Sequence, residues 1–98
     1  MSEIDPGTSP LTRELLIINK KGLHAGASAK FVQTVDRFRA TVTVSRAGET
    51  VGGRSIMGLL TLGAAQGTHI TVTAEGPDAD ESLAAITELV ENRFGEDE

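Results

Sequence analysis

The sequence predicts an α+β fold in two layers, with one sheet and its helices packed on a single side. Two segments, 41–45 and 68–74, alternate in polarity as half-buried strands do, and threonine dominates their polar faces. Between these strands and after them, apolar residues recur at helical spacing. A sheet with one polar face has only one face to cover, so the helices are expected on the aliphatic side.

The elements are predicted in the order strand, helix, strand, strand, helix, strand, helix. Asp78 and Glu81 resemble a capping box and predict the start of the last helix. The predicted boundaries are a strand at 11–18, a helix at about 25–37, a hairpin of 41–45 with a strand that starts at Thr50, a short helix that follows an N-cap at Ser55 and holds Ile56 to Leu62, a strand at 68–74, and a helix that stops at Gly95.

Length and composition predict one small domain with an aliphatic core. The chain has 98 residues, 39% of them hydrophobic, and three phenylalanines are its only aromatic residues. It has no cysteine, which excludes a disulfide framework and a thiolate metal site. Residues 1–10 are polar and aperiodic and are interpreted as a disordered lead-in, 11–95 as the domain, and 96–98 as a solvated acidic tail.

The charge pattern excludes several classes of partner. The net charge is −5 and the nine Lys and Arg residues are scattered, whereas a nucleic-acid-binding protein needs a basic stripe. No apolar run approaches the roughly 20 residues that span a membrane, and the N-terminus lacks the pattern of a signal peptide. We therefore expect a cytoplasmic protein without membrane insertion, cofactor or metal, and nothing in the sequence requires more than a monomer.

His24 is the candidate nucleophile. An apolar run ends at Ile18, residues 19–22 break the chain, and a helical pattern starts directly after His24. The first N–H groups of a helix lack partners and carry partial positive charge, so they hold a phosphate without special side chains. The amides of Ala25, Gly26 and Ala27 are the expected phosphate-binding groups, and neutral imidazole is a nitrogen nucleophile available at pH 7.

Two other polar residues have simpler explanations. His69 lies on the threonine face of a predicted strand, where solvent exposure is expected. Ser55 is a favoured N-cap residue, although the same hydroxyl could accept a phosphate. Ile56 and Met57 beside it belong either to the core or to a docking patch, since methionine is common at adaptable surfaces.

Two motifs give the chain a specific resemblance. Gly-Leu-His-Ala, beginning at Gly22, and Arg-Ser-Ile-Met-Gly-Leu-Leu, beginning at Arg54, resemble HPr, the histidine-containing phosphocarrier family of the bacterial phosphoenolpyruvate-dependent phosphotransferase system. The likeness covers about residues 11–95 and is strongest to proteobacterial members. It implies an open-faced β-sandwich, in which a four-stranded antiparallel sheet carries three helices on one face.

The resemblance also implies roles for single residues. His24 would receive a phosphoryl group on Nδ1 from Enzyme I and pass it to an EIIA-type domain, so the protein would be a carrier and not an enzyme. Ser55 would be a regulatory site for an HPr kinase/phosphorylase. The docking surface would include Arg54, Ile56, Met57 and Leu60.

One position departs from the family pattern, because Gly26 stands where the motif Gly-Leu-His-Ala-Arg has arginine. Arginine would offer a planar donor fork to the phosphoryl oxygens, whereas glycine offers only its backbone N–H. Removing one preorganised donor costs on the order of 3–4 kcal/mol in other sites, which is an upper guide here. We expect His24 to be phosphorylated, but more slowly.

Two alternatives remain at this point. The first is a regulatory binding module that acts through Ser55, with transfer by His24 weakened or lost because of Gly26. The second is an unrelated α+β ligand-binding domain, whose element order can be similar but which does not need both motifs.

Overall fold

The computed structural model describes residues 9–98, so most of the lead-in predicted at 1–10 lies outside the described residues. Within them, four antiparallel strands form one sheet in the spatial order β1-β4-β2-β3. The strands are β1 (Leu11–Leu16), β2 (Thr41–Arg46), β3 (Glu49–Gly52) and β4 (His69–Glu75). The last strand of the sequence therefore lies between the first and the second, an order that strand patterns alone do not give.

The helices are α1 (Ala25–Val35), α2 (Ile56–Thr61) and α3 (Ala79–Glu91), followed by a 3-10 turn at Arg93–Gly95. α1 is two residues shorter than predicted, because Arg37 and Phe38 donate to carbonyls three residues back and tighten the chain into a turn. None of the helices within residues 9–98 is long and apolar enough to cross a membrane.

The predicted capping box at the start of α3 is wrong. Asp78 occupies the N-cap position, but its side chain makes no bond to the first turn of α3. Its Oδ2 instead accepts from the backbone N–H of Arg39, at 2.7 Å. The carboxylate therefore ties the start of α3 to the loop before β2.

The two faces of the sheet differ as the alternation predicts. In β4, Ile70, Val72 and Ala74 are fully buried, whereas His69 is exposed, as expected. On the opposite face Thr73 lies across from Thr12 of β1 and Thr43 of β2. The core lies between the aliphatic face and the helices, and its fully buried members there include Val44, Phe31, Val35, Ile86 and Phe94.

Candidate functional site

The loop before α1 is pinned against the segment that follows α2. Leu23 is buried and its N–H donates to the carbonyl oxygen of Ala64 at 2.9 Å. Gly22 has a φ of +66°, and a Cβ at this position would overlap the Ala64 carbonyl oxygen. Only glycine combines this conformation with so close an approach. The residue after Leu23, His24, is thereby held at the rim of the domain.

His24 is the N-cap of α1. Its backbone is extended (φ −76°, ψ −176°) and its carbonyl accepts the first helical bond from Ser28, at 2.8 Å. The ring turns back over the first turn, where Nδ1 accepts from the N–H of Gly26 at 3.2 Å. A backbone N–H can only donate, so the Nδ1 lone pair points at the positive end of the helix. The side chain is about one-third exposed, at 32%.

The three residues expected to bind phosphate differ in exposure. Ala25 and Gly26 are exposed, whereas Ala27 is fully buried in the core. A Cβ on Gly26 would lie 2.9 Å from Cε1 of His24 and 3.4 Å from Nδ1. The missing side chain therefore lets the imidazole lie directly against the helix, a geometry that a larger residue would disturb.

The expectation of a purely solvated acidic tail is wrong for Glu96. Its Oε2 is hydrogen-bonded to Nε2 of His24, and its Oε1 accepts from Nδ2 of Asn19 at 3.0 Å. Asn19 is fully buried and also donates to the carbonyl of Gly22, at 2.8 Å. The carboxylate thus joins the ring of His24 to the turn that precedes it.

The environment of Glu96 favours its charged form. The hydrogen bond from His24 is the main cause of a pKa below the usual value of a glutamate. Partial burial opposes this shift, while the bond from Asn19 and the charge of Lys21 add to it. At neutral pH the group beside the imidazole is therefore a carboxylate.

Sequence reasoning missed Glu96 because no local pattern shows where the chain goes after α3. Arg93 and Phe94 both have left-handed backbones, at φ 56° and 53°, and Gly95 follows at 78°. These three residues turn the chain back towards α1. Gly95 predicts the end of the helix, but Arg93 and Phe94 have no sequence signal for a left-handed backbone.

Ser55 is the N-cap of α2, as predicted. Its Oγ accepts from the N–H of Gly58 at 2.9 Å, and the residue is exposed. A Cβ on Gly58 would lie 3.0 Å from this oxygen. The hydroxyl is accessible from solvent while its lone pair satisfies the helix terminus.

The apolar residues expected to dock partners lie in α2, and one of them, Leu60, lies beside His24. Met57 is 70% exposed and Ile56 40%, whereas Leu60 is half-buried. Leu60 and His24 line the same shallow depression, of about 270 Å³. We call the three residues Ile56, Met57 and Leu60 the α2 patch.

Arg54 lies next to this patch but is bonded within the chain. Its guanidinium donates to the carbonyls of Phe38 and Ala40 at 3.1 and 3.0 Å, and to that of Val35 at 3.3 Å. It also pairs with Asp36 at 2.9 Å. These bonds satisfy carbonyls at the end of α1 and in the turn that leads to β2, so the side chain has a structural role besides any contact with a partner.

Known proteins resemble this chain over nearly all of its length. The family model of the HPr component phosphorylation site of the phosphotransferase system matches residues 11–92. The phosphocarrier protein HPr of Xylella fastidiosa (strain 9a5c) is 48% identical, over 89% of this chain and 98% of that protein.

Solved structures resemble it as well. The crystal structure of HPr-C-His from Thermoanaerobacter tengcongensis has a TM-score of 0.82 and 40% identity, over 92% of this chain and 99% of that one. An HPr dimer from the same organism has a TM-score of 0.71 and 38% identity, over 98% and 100% of the two chains.

The sheet, with its three helices on one face, is the open-faced α+β architecture of these structures. The chain belongs to the HPr family, the phosphocarrier proteins of the phosphotransferase system. This assignment excludes the alternative that the chain is an unrelated α+β ligand-binding domain. It also agrees with a carrier that is not a catalyst in the usual sense.

Proposed function

We propose that His24 accepts a phosphoryl group on Nδ1 from Enzyme I and passes it to EIIA-type domains. The observation that carries this proposal is the position of Nδ1, which accepts from Gly26 N–H at the positive end of α1. An unprotonated ring nitrogen is the nucleophile that phosphoryl transfer requires, and the ring is partly exposed to an incoming donor.

The exposed start of α1 favours binding of the phosphoryl oxygens. When phosphorus takes the place that the Gly26 N–H now occupies at Nδ1, this N–H and that of Ala25 become donors to the new oxygens. Ala27 is fully buried, and its N–H, which belongs to the same first turn, is proposed as the third donor. Phosphoryl transfer depends mostly on positioning and on charge neutralisation, and backbone amides supply part of both.

Gly26 has two opposite effects on this site. It removes the guanidinium that the family motif supplies, which slows transfer. It also admits the imidazole to within hydrogen-bonding distance of the helix, since a Cβ would contact Cε1 at 2.9 Å. Transfer in this chain therefore relies on amides and on cations brought by the partner, at a lower rate than with an arginine at this position.

Partners are proposed to dock on the α2 patch. Met57 and Ile56 are adjacent exposed apolar side chains, which favours a docking surface, and Leu60 lines the depression beside His24. Arg54 would support this surface by holding the end of α1. We infer that the protein acts in the cytoplasm as a monomer, where Enzyme I and EIIA-type domains would meet it.

Regulation through Ser55 is the second candidate function. It is favoured by the exposure of the hydroxyl at the start of α2, next to Met57. A phosphate added there by an HPr kinase/phosphorylase would place negative charge directly beside the apolar α2 patch. Binding of partners that require this surface would weaken.

Incubation with Enzyme I and phosphoenolpyruvate tests the first proposal. Intact-mass measurement should find one acid-labile phosphoryl group on the protein. An EIIA-type domain added afterwards should remove this group. His24→Ala should abolish labelling, and His69→Ala, which removes the other imidazole, should leave it unchanged. Labelling that survives His24→Ala, or no labelling of the unaltered chain, would refute phosphorylation of His24.

A further inference from the structure

The chain returns from α3 to His24 through a turn of left-handed residues. Arg93 and Phe94 hold left-handed backbones that cost non-glycine residues about 1 kcal/mol or more each. Phe94 is fully buried, and its carbonyl accepts from Nζ of Lys30 at 2.6 Å. Packing of this ring and the bond from α1 offset the backbone cost, and together they set where Glu96 must lie.

Buried Asn19 holds the carboxylate of Glu96 in place independently of His24. Nδ2 of Asn19 donates to Oε1 of Glu96 at 3.0 Å and, from the same amide, to the Gly22 carbonyl at 2.8 Å. Asn19 is fully buried, so its amide has little freedom to move. The other carboxylate oxygen, Oε2, faces Nε2 of His24. The carboxylate is therefore placed by buried structure and is not simply drawn to the ring from solvent.

The two contacts of the imidazole specify the same tautomer. Nδ1 accepts from the N–H of Gly26 and so carries no proton. A carboxylate is an acceptor, so the ring nitrogen that faces Glu96, Nε2, carries the proton. The lone pair is thus kept on the nitrogen that lies against the helix terminus.

We propose that Glu96 is a positioning residue for phosphoryl transfer, which fixes the Nε2–H tautomer of His24 and stabilises the positive charge that develops on the ring. This inference rests on the proposed function of His24. The nearby cations are Lys20, Lys21 and Lys30. Lys20 pairs with Glu98, and Lys30 is bonded to the Phe94 carbonyl. Among the described residues, Glu96 is the carboxylate that is hydrogen-bonded to the imidazole.

The transfer step balances with Glu96 in this role. The Nδ1 lone pair forms the new bond to phosphorus while the bond between phosphorus and the donor atom breaks, and the donor atom keeps that electron pair. No proton leaves His24. The ring becomes cationic with its proton still on Nε2, hydrogen-bonded to the carboxylate, which favours that charge in the way a carboxylate supports a catalytic imidazole elsewhere.

Nitrogen-15 NMR of the unphosphorylated protein tests the positioning directly. In the unaltered chain the His24 shifts should report a bare Nδ1 and a protonated Nε2 at neutral pH. Glu96→Ala should move these shifts towards a mixture of tautomers, and Glu96→Gln should move them less, because it keeps an acceptor oxygen. His69, which is exposed on the far face of the sheet, is an internal reference that should not move.

The rate of phosphorylation tests whether Glu96 contributes to phosphoryl transfer. Glu96→Ala should slow labelling by Enzyme I and phosphoenolpyruvate by about tenfold or more, because a carboxylate that orients an imidazole and stabilises its positive charge contributes at least this much in other sites. Glu98→Gln is the matched control, since it removes a charge from the same segment at a carboxylate that is 72% exposed. Glu96→Gln should give an intermediate rate, because the acceptor remains and the charge is lost.

The outcomes separate this inference from the proposed function. If both Glu96 variants match Glu98→Gln in ring shifts and in labelling rate, the positioning role is overturned while phosphorylation of His24 stands. If the unaltered chain is not labelled at all, the proposed function fails, and the NMR result still decides whether Glu96 sets the tautomer. A purely structural role would lower thermal stability but would leave the His24 nitrogen shifts unchanged.

Discussion

Replacement of Arg54 by alanine is expected to destabilise the domain substantially, although the side chain is on the surface. The guanidinium donates to the carbonyls of Val35, Phe38 and Ala40, and it pairs with Asp36. These carbonyls lie at the end of α1 and in the turn that leads to β2. Truncation at Cβ removes the guanidinium from all three carbonyls, of which that of Val35 keeps the bond from Phe38 N–H, and frees the chain between α1 and β2.

The expected magnitude follows from these bonds. Each hydrogen bond to a backbone carbonyl contributes about 0.5–1 kcal/mol net at a partly exposed site. The pair with Asp36 adds about 0–1 kcal/mol, because both side chains are roughly half exposed. The sum is about 1.5–4 kcal/mol, which in a domain of this size lowers the melting temperature by about 6–32 °C.

Thermal unfolding followed by circular dichroism measures this effect. Arg39→Ala is the matched control, since it removes the same charge at an exposed residue of the loop that the Arg54 guanidinium contacts. Arg54→Lys should recover only part of the loss, because an ammonium group cannot reach several carbonyls with a rigid fork. A melting temperature of Arg54→Ala equal to that of Arg39→Ala would refute the structural role and leave docking as the main function of Arg54.

Three further perturbations test other parts of the structure. Gly22→Ala should lower the free energy of unfolding in urea by about 2–4 kcal/mol, because residue 22 is left-handed and its new Cβ would overlap the Ala64 carbonyl oxygen. An unchanged urea midpoint would contradict this packing. Ser55→Ala should lower the free energy of unfolding by about 1 kcal/mol through loss of the N-cap bond, and Ser55→Asp should restore most of this stability. Equal stability of all three chains would show that the N-cap bond does not stabilise the domain. The lowered pKa of Glu96 contributes stability that is complete above its unfolded-state pKa and is lost as the pH falls through its folded-state pKa. Thermal scans of Glu96→Gln should lack this part of the acid dependence, and identical pH profiles for the two chains would contradict it.

The position of His24 could be predicted from sequence because its signals are local. A chain break, a histidine and the first residues of an amphipathic helix stand next to each other, so the helix terminus follows from periodicity alone. The two faces of β4 could be predicted for the same reason, since alternation assigns Ile70 and His69 to opposite sides without reference to the rest of the chain.

Long-range contacts could not be predicted. Asp78 looked like a helix cap, but it bonds to the distant N–H of Arg39 at 2.7 Å, a competitor that the local pattern does not reveal. Glu96 looked like part of a solvated tail, because acidic residues near a glycine usually are. Its contact with His24 depends on the left-handed backbone of Phe94, whose ring is buried in the core. Tertiary packing therefore determines this conformation.

The central place of β4 in the sheet has a consequence for how the chain folds during synthesis. Thr12 pairs with Thr73, a separation of 61 residues, so β1 has no neighbour in the described sheet until β4 has left the ribosome. The hairpin of β2 and β3 can form early, since its contacts are local. A nascent chain that stops before residue 69 therefore exposes an unpaired β1 edge, and arrested chains of this length should be more prone to proteolysis and aggregation than chains released after residue 75.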